Sequence, residues 1–207
     1  MYGAPPSITA EIYTEVPEAL RIRGRSSEWL YGRGGAAPHS FLEGPSFDRE
    51  GNLWLTDIVF GRIFRVNPAG AWTVVAEYDG EPNGLAFHRE GWAAITDAKR
   101  GLLRLNPQTG EVSSLLPRAR REGFRGVNDC TFSKTGDLFF TDQGQTGLQD
   151  PAGRVYRLRA GAQQADALVS NVPSPNGLVL TEDGHTLYVA ATRDNAIWRV
   201  PITEDGG

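Results

Sequence analysis

Short apolar runs recur along the chain, each paired with a glycine turn and a second run. Gly51-Asn52-Leu53-Trp54-Leu55-Thr56-Asp57 leads to Gly61-Arg62-Ile63-Phe64-Arg65-Val66. The same pieces return as Gly91-Trp92-Ala93-Ala94-Ile95-Thr96-Asp97 with Gly101-Leu102-Leu103-Arg104-Leu105. They return again as Gly136-Asp137-Leu138-Phe139-Phe140-Thr141-Asp142 with Gly153-Arg154-Val155-Tyr156-Arg157-Leu158. A fourth copy is Gly184-His185-Thr186-Leu187-Tyr188-Val189-Ala190 with Ala196-Ile197-Trp198-Arg199-Val200. The turn glycines 51, 91, 136 and 184 are 40, 45 and 48 residues apart. A period of about 40–50 residues built from short strands predicts a β-propeller with four strands per blade. The second run of each pair alternates; in 62–66 and 196–200 the polar residues mark a solvated edge and the rest face the neighbouring blade on this reading. No window shows helical periodicity.

The pattern predicts an all-β fold with about four blades. Fourth strands fall near Trp72–Glu77, 111–115 and 165–169, and the fourth blade has three strands before Asp205-Gly206, a hairpin turn signal. The chain therefore reads as part of a longer one. The competing reading is a complete four-bladed ring, closed by the alternating stretch Ala10-Glu11-Ile12-Tyr13-Thr14-Glu15-Val16. The organisation expected is an N-terminal extension over residues 1–40, with one candidate strand and an irregular Gly- and Arg-rich part over 21–40. The propeller follows over 41–207.

Composition agrees: 25 glycines and 13 prolines are scattered between the runs, as many turns require. The net charge of −4 offers nothing to nucleic acid or an anionic membrane. The densest basic run, Arg118-Ala119-Arg120-Arg121, reads as a solvated loop. The single cysteine, Cys130, reads as a packed thiol rather than a nucleophile. No apolar run reaches the length of a membrane span and no signal-peptide pattern opens the chain, so the expected location is cytoplasmic.

One repeat position departs from core chemistry. Glu43, Asn83, Asn128 and Asn176 each stand at the entry to the first apolar strand of a blade. Innermost strands of a propeller line its central channel, so the four converge at one channel mouth. One carboxylate and three amide carbonyls suit a hard cation such as Ca²⁺, which takes 6–8 oxygen ligands. Imidazole and thiolate metals are poorly matched, because His39, His88, His185 and Cys130 share no repeat phase. The alternative is that each Asn simply shapes a turn.

These residues carry a resemblance. Leu42-Glu43-Gly44-Pro45-Ser46-Phe47, Gly126-Val127-Asn128-Asp129, Phe140-Thr141-Asp142 and Ser174-Pro175-Asn176-Gly177-Leu178 resemble the motifs of the SMP-30/gluconolactonase/LRE family. The resemblance runs from about Phe41 to Pro201. It implies a six-bladed propeller with one catalytic divalent cation, usually Ca²⁺, and a small-molecule lactone as substrate. It implies Glu43, Asn128 and Asn176 as metal ligands and Asn83 as a substrate-side group. It further implies an Asp in a Pro-Asp-Gly context on a later blade, acting as ligand and general base. That Asp would lie beyond Gly207; Asp205 is in the wrong repeat phase and is no substitute.

The implied chemistry is lactone ring opening. The cation polarises the carbonyl and the later Asp activates water. With only Glu43 anionic, this chain is expected to bind metal weakly and to hydrolyse little. Two other classes stay open: a non-catalytic binding platform, and a strictosidine-synthase-like propeller needing a Glu acid/base elsewhere. The loop Gln143-Gly144-Gln145-Thr146-Gly147-Leu148-Gln149-Asp150 is a candidate for substrate choice or a plain solvent loop.

Overall fold

The computed structural model describes residues 5–31 and 33–203. The fold is a β-propeller of four blades. Blade I contains β1 (Leu42–Phe47), β2 (Leu53–Asp57), β3 (Arg62–Val66) and β4 (Trp72–Glu77). Blade II contains β5 (Pro82–Phe87), β6 (Ala93–Asp97), β7 (Gly101–Leu105) and β8 (Val112–Leu116). A small hairpin follows, β9 (Arg118–Ala119) with β10 (Glu122–Gly123). Blade III contains β11 (Val127–Phe132), β12 (Leu138–Asp142), β13 (Gly153–Leu158) and β14 (Ala165–Val172). Blade IV has three strands, β15 (Pro175–Leu180), β16 (Thr186–Ala191) and β17 (Ala196–Pro201). Every sheet is an antiparallel meander in chain order, and the innermost strands β1, β5, β11 and β15 pack side by side. Among the described residues there is no α-helix, and none long and apolar enough to cross a membrane.

The core lies between blades. Trp54 and Ile63 of blade I meet Leu85, Ile95 and Leu103 of blade II. Leu102 of blade II meets Val127, Leu138 and Phe140 of blade III. Phe139 and Val155 of blade III meet Leu187 and Val189 of blade IV. Each such side chain contributes about 1.5–3 kcal/mol on burial. This explains the apolar second strands: β6 and β12 are buried at every residue because a sheet covers each face.

Two expectations are corrected. Arg62 does not mark a solvated edge: it is 3% exposed, because it turns inward to pair with Asp57. In β17 the reading also fails: Ile197 is 67% exposed, since no described sheet covers that face.

Residues 10–16 alternate but form no strand and do not pair with β17. They lie along blade I instead, where Trp72 Nε1 donates to Thr14 Oγ1 at 2.9 Å and the Tyr13 hydroxyl to the Pro68 carbonyl at 3.3 Å. Leu20 then packs on Leu55 and Phe64, and Ile22, Trp29 and Leu30 pack on Ile58, Val59 and Phe60. The extension thus covers the face of blade I that no described blade covers. Asp205 and its turn lie outside the described residues.

Candidate functional site

Each predicted site residue is the second residue of an innermost strand: Glu43 in β1, Asn83 in β5, Asn128 in β11 and Asn176 in β15. The strands carry them to one place. A cavity of about 300 Å³ is lined by all four, together with Trp29, Arg33, Phe41, Glu81, Gln143 and Gln145 among others. The convergence expected from repeat phase is therefore present, although the residues are up to 133 positions apart.

The local backbone explains how the side chains are presented. In each innermost strand the ladder skips at the site. Pro82 pairs with Asp97 and Leu85 with Ile95, so two residues face one. Val127 to Cys130 and Pro175 to Leu178 repeat the skip, and Glu43 to Ser46 shows it one residue later. A β-bulge of this kind turns side chains out of the regular alternation. Gly44 needs its conformation (φ +54°), and a Cβ there would strike the Asn83 carbonyl.

The four side chains share a further property. Among the described residues, none of their side-chain oxygens or nitrogens takes a hydrogen bond or ion pair from protein. Their neighbours differ. Asp57 Oδ1 accepts the Phe41 N–H at 2.9 Å, and Asp142 accepts the Arg125 N–H at 2.8 and 3.0 Å. The carboxylates that end β2 and β12 thus hold loops, while the side chains near the start of the innermost strands are left open to the cavity.

Electrostatics single out Glu43. Burial pushes its carboxyl above the ordinary range, and the negative charge of Asp129 adds to the shift. Asp129 is itself raised by burial, partly offset by N–H donors from Cys130 at 2.8 Å and Leu178 at 3.2 Å. It sits where three blades meet: a Cβ on Gly84 of blade II would lie 2.7 Å from its Cα, and Gly177 of blade IV is close to its Oδ2. Glu81 is likewise raised, by burial and then by Asp97. A positive charge in the cavity would favour the ionised form of Glu43 and oppose this shift.

Fit to a hard cation is tested by the donor set. The cavity offers two carboxylates, Glu43 and Glu81, and the three amides of Asn83, Asn128 and Asn176, with no thiol or imidazole among its lining residues. No described cluster of three or more His, Cys, Asp or Glu could hold a metal. Any cation here would rely on amide oxygens, as Ca²⁺ does readily.

Sequence reasoning missed three contributors. Trp29 and Arg33 come from the segment read as irregular, and the Arg33 guanidinium lies 3.7 Å above the Trp29 ring. Asp129 stood inside a quoted motif without a role. The loop after β12 does reach the cavity, through Gln143 and Gln145, while Leu148 is 63% exposed.

A family model described as SMP-30/Gluconolactonase/LRE-like region matches residues 41–207. Lactonase drp35 of Staphylococcus epidermidis is 28% identical over 172 residues, covering 80% of this chain and 52% of the relative. The Staphylococcus aureus protein of the same name is 27% identical over 173 residues, with the same coverage. Among solved structures, a gluconolactonase from Xanthomonas campestris superposes with a TM-score of 0.72 at 23% identity, over 81% of this chain and 60% of that one. A calcium-binding regucalcin from Agrobacterium tumefaciens gives 0.66 at 24%, over 79% and 54%. The chain spans about half the length of the curated relatives it matches.

Proposed function

Because the chain belongs to the SMP-30/gluconolactonase/LRE-like family, we propose that its cavity is the cation-holding part of a lactone hydrolase. The observation that carries this is the group of four unpartnered oxygen-bearing side chains, Glu43, Asn83, Asn128 and Asn176, around one cavity. Glu43, Asn128 and Asn176 would hold a divalent cation, with Ca²⁺ the best match to their chemistry. Asn83 faces the substrate side. The working unit is residues 41–207, with 1–40 as an extension.

When bound, the cation supplies Lewis-acid polarisation of a lactone carbonyl and stabilisation of the oxyanion that forms there. The chain's own residues do the rest of the work seen here. Glu43 provides the charge that anchors the cation, and the amides orient it without cancelling more of its charge. Trp29 and Phe41, whose rings lie 5.2 Å apart, form an apolar wall against which a ring substrate can lie. Arg33 and the two glutamines supply donors for substrate hydroxyls.

Water activation needs a base. The acids lining the cavity are Glu43 and Glu81. Glu43 is committed to the cation, and the family resemblance assigns the base to a further Asp on a later blade. This 207-residue chain is therefore expected to bind Ca²⁺ weakly and to open lactones slowly. Calorimetric titration with Ca²⁺ tests the assignment. One site per chain, lost in Glu43→Gln, is the expected result. A chain that opens a sugar lactone as fast in EDTA as in Ca²⁺ overturns it.

A further inference from the structure

The bulges that present the asparagines leave backbone groups without partners in their own ladder. Asn83 and Gly84 face Thr96, Asn128 and Asp129 face Thr141, and Asn176 and Gly177 face Ala190. A buried carbonyl freed this way must find another donor. It finds one on the preceding blade. Thr56 Oγ1 donates to the Asn83 carbonyl at 2.6 Å, Thr96 Oγ1 to the Asn128 carbonyl at 2.5 Å, and Thr141 Oγ1 to the Asn176 carbonyl at 2.8 Å. All three threonines are fully buried.

Two of these hydroxyls also accept. The Gly84 N–H donates to Thr96 Oγ1 at 2.8 Å, and the Asp129 N–H to Thr141 Oγ1 at 3.1 Å. A hydroxyl can give and take a hydrogen bond at once, which neither valine nor alanine can. The result is a relay from bulge to bulge across a blade boundary. It runs from Gly84 through Thr96 to Asn128, and from Asp129 through Thr141 to Asn176. Each asparagine whose side chain is free is therefore held by its own backbone carbonyl.

We propose that Thr56, Thr96 and Thr141 are positioning residues, each fixing the cavity asparagine of the next blade, Asn83, Asn128 and Asn176 respectively. β-Branched residues are common in strands for packing alone, so the competing explanation is that valine would serve as well. The consequence for cation binding rests on the reading given above; the positioning itself does not.

The test uses the 207-residue chain with Thr96→Val, Thr96→Ser, Thr141→Val and Thr141→Ser. Two quantities are measured: the side-chain amide ¹⁵N–¹H resonances of Asn128 and Asn176 in EDTA, and the Ca²⁺ dissociation constant. Thr96→Val should move the Asn128 resonances toward those of a solvated asparagine and leave Asn176 in place. Thr141→Val should do the reverse. Both valine variants should weaken Ca²⁺ about tenfold or more, as losses around a metal site commonly do. The serine variants should match the parent in both measurements. Valine variants with unmoved amides, or serine variants that behave like valine, overturn the proposal. If one valine variant fails to fold, the other tests the same relay at a separate blade boundary. A parent chain that binds no Ca²⁺, yet shows the amide pattern, removes the cation reading and keeps the positioning.

Discussion

Arg62 and Asp57 form an ion pair at 2.6 Å, with side chains only 3% and 0% exposed. Arg62 also donates to the Leu20 carbonyl at 2.7 Å and the His39 carbonyl at 3.3 Å. Asp57 takes the Phe41 N–H, two residues before Glu43. The pair thus ties the N-terminal extension to the entry of β1. Removing one partner strands a buried charge, which typically costs about 3–5 kcal/mol. Arg62→Ala should lose stability of that order in urea unfolding. The double variant Arg62→Met with Asp57→Asn should recover part of it.

Blade II lacks this arginine. Asp97 stands where Asp57 stands in blade I, but its ladder partner is Gly101. Asp97 is fully buried, with the Tyr78 hydroxyl beside its carboxyl. Burial pushes its carboxyl above the ordinary range, against the pull of the Glu81, Arg100 and Lys99 N–H groups and the Tyr78 hydroxyl. A carboxyl raised in the folded state favours folding least when ionised. Its penalty is absent below about pH 4, the unfolded value, and grows until pH passes the raised folded value. Thermal midpoints in EDTA should therefore fall as pH rises from about 4 toward neutrality. Asp97→Asn should flatten part of that slope. Glu81 and Asp142, also raised by burial, act in the same direction.

Gly84 lets blades II and III approach at the base of the cavity. An alanine there would place its Cβ 2.7 Å from the Asp129 Cα and 2.9 Å from the Asn128 carbonyl. Backbone on one side and a buried carboxylate on the other leave little room to yield. Overpacking of this kind costs about 1–3 kcal/mol. Gly84→Ala should lose roughly that much stability, and any Ca²⁺-induced stabilisation should weaken with it. Gly91→Ala, with open space at its Cβ, is the control for glycine loss in the same blade, although its φ of +91° adds strain of its own.

Cys130 is packed between blades II and III, and burial pushes its thiol well above the ordinary value. A thiol that stays protonated and covered reacts slowly. Iodoacetamide at neutral pH should leave the folded chain unmodified and label it fully in urea. Rapid labelling of the folded protein would contradict the packing described.

Much of the architecture was legible because the repeat is carried by burial. Strands such as Leu138-Phe139-Phe140-Thr141-Asp142 are covered on both faces and leave a continuous apolar run. The convergence of Glu43, Asn83, Asn128 and Asn176 on one cavity was legible because they share one phase of that repeat. What escaped depends on contacts between distant segments. Arg62 looks solvent-facing from alternation, and only the extension's carbonyls and Asp57 reveal why it is buried. Trp29 and Arg33 join the cavity through a segment with no period. The threonines were visible as part of the repeat, yet their hydroxyls act on the neighbouring blade, where a single-strand pattern carries no information.

The central proposal is that Glu43, Asn128 and Asn176 hold a divalent cation. A thermal melt of the chain in EDTA and in excess Ca²⁺, beside Glu43→Ala, tests it most directly. The account predicts a rise in midpoint with Ca²⁺ that grows with its concentration, as linkage requires, and that vanishes in the variant. Equal midpoints in EDTA and Ca²⁺, or a rise that survives in Glu43→Ala, would contradict it.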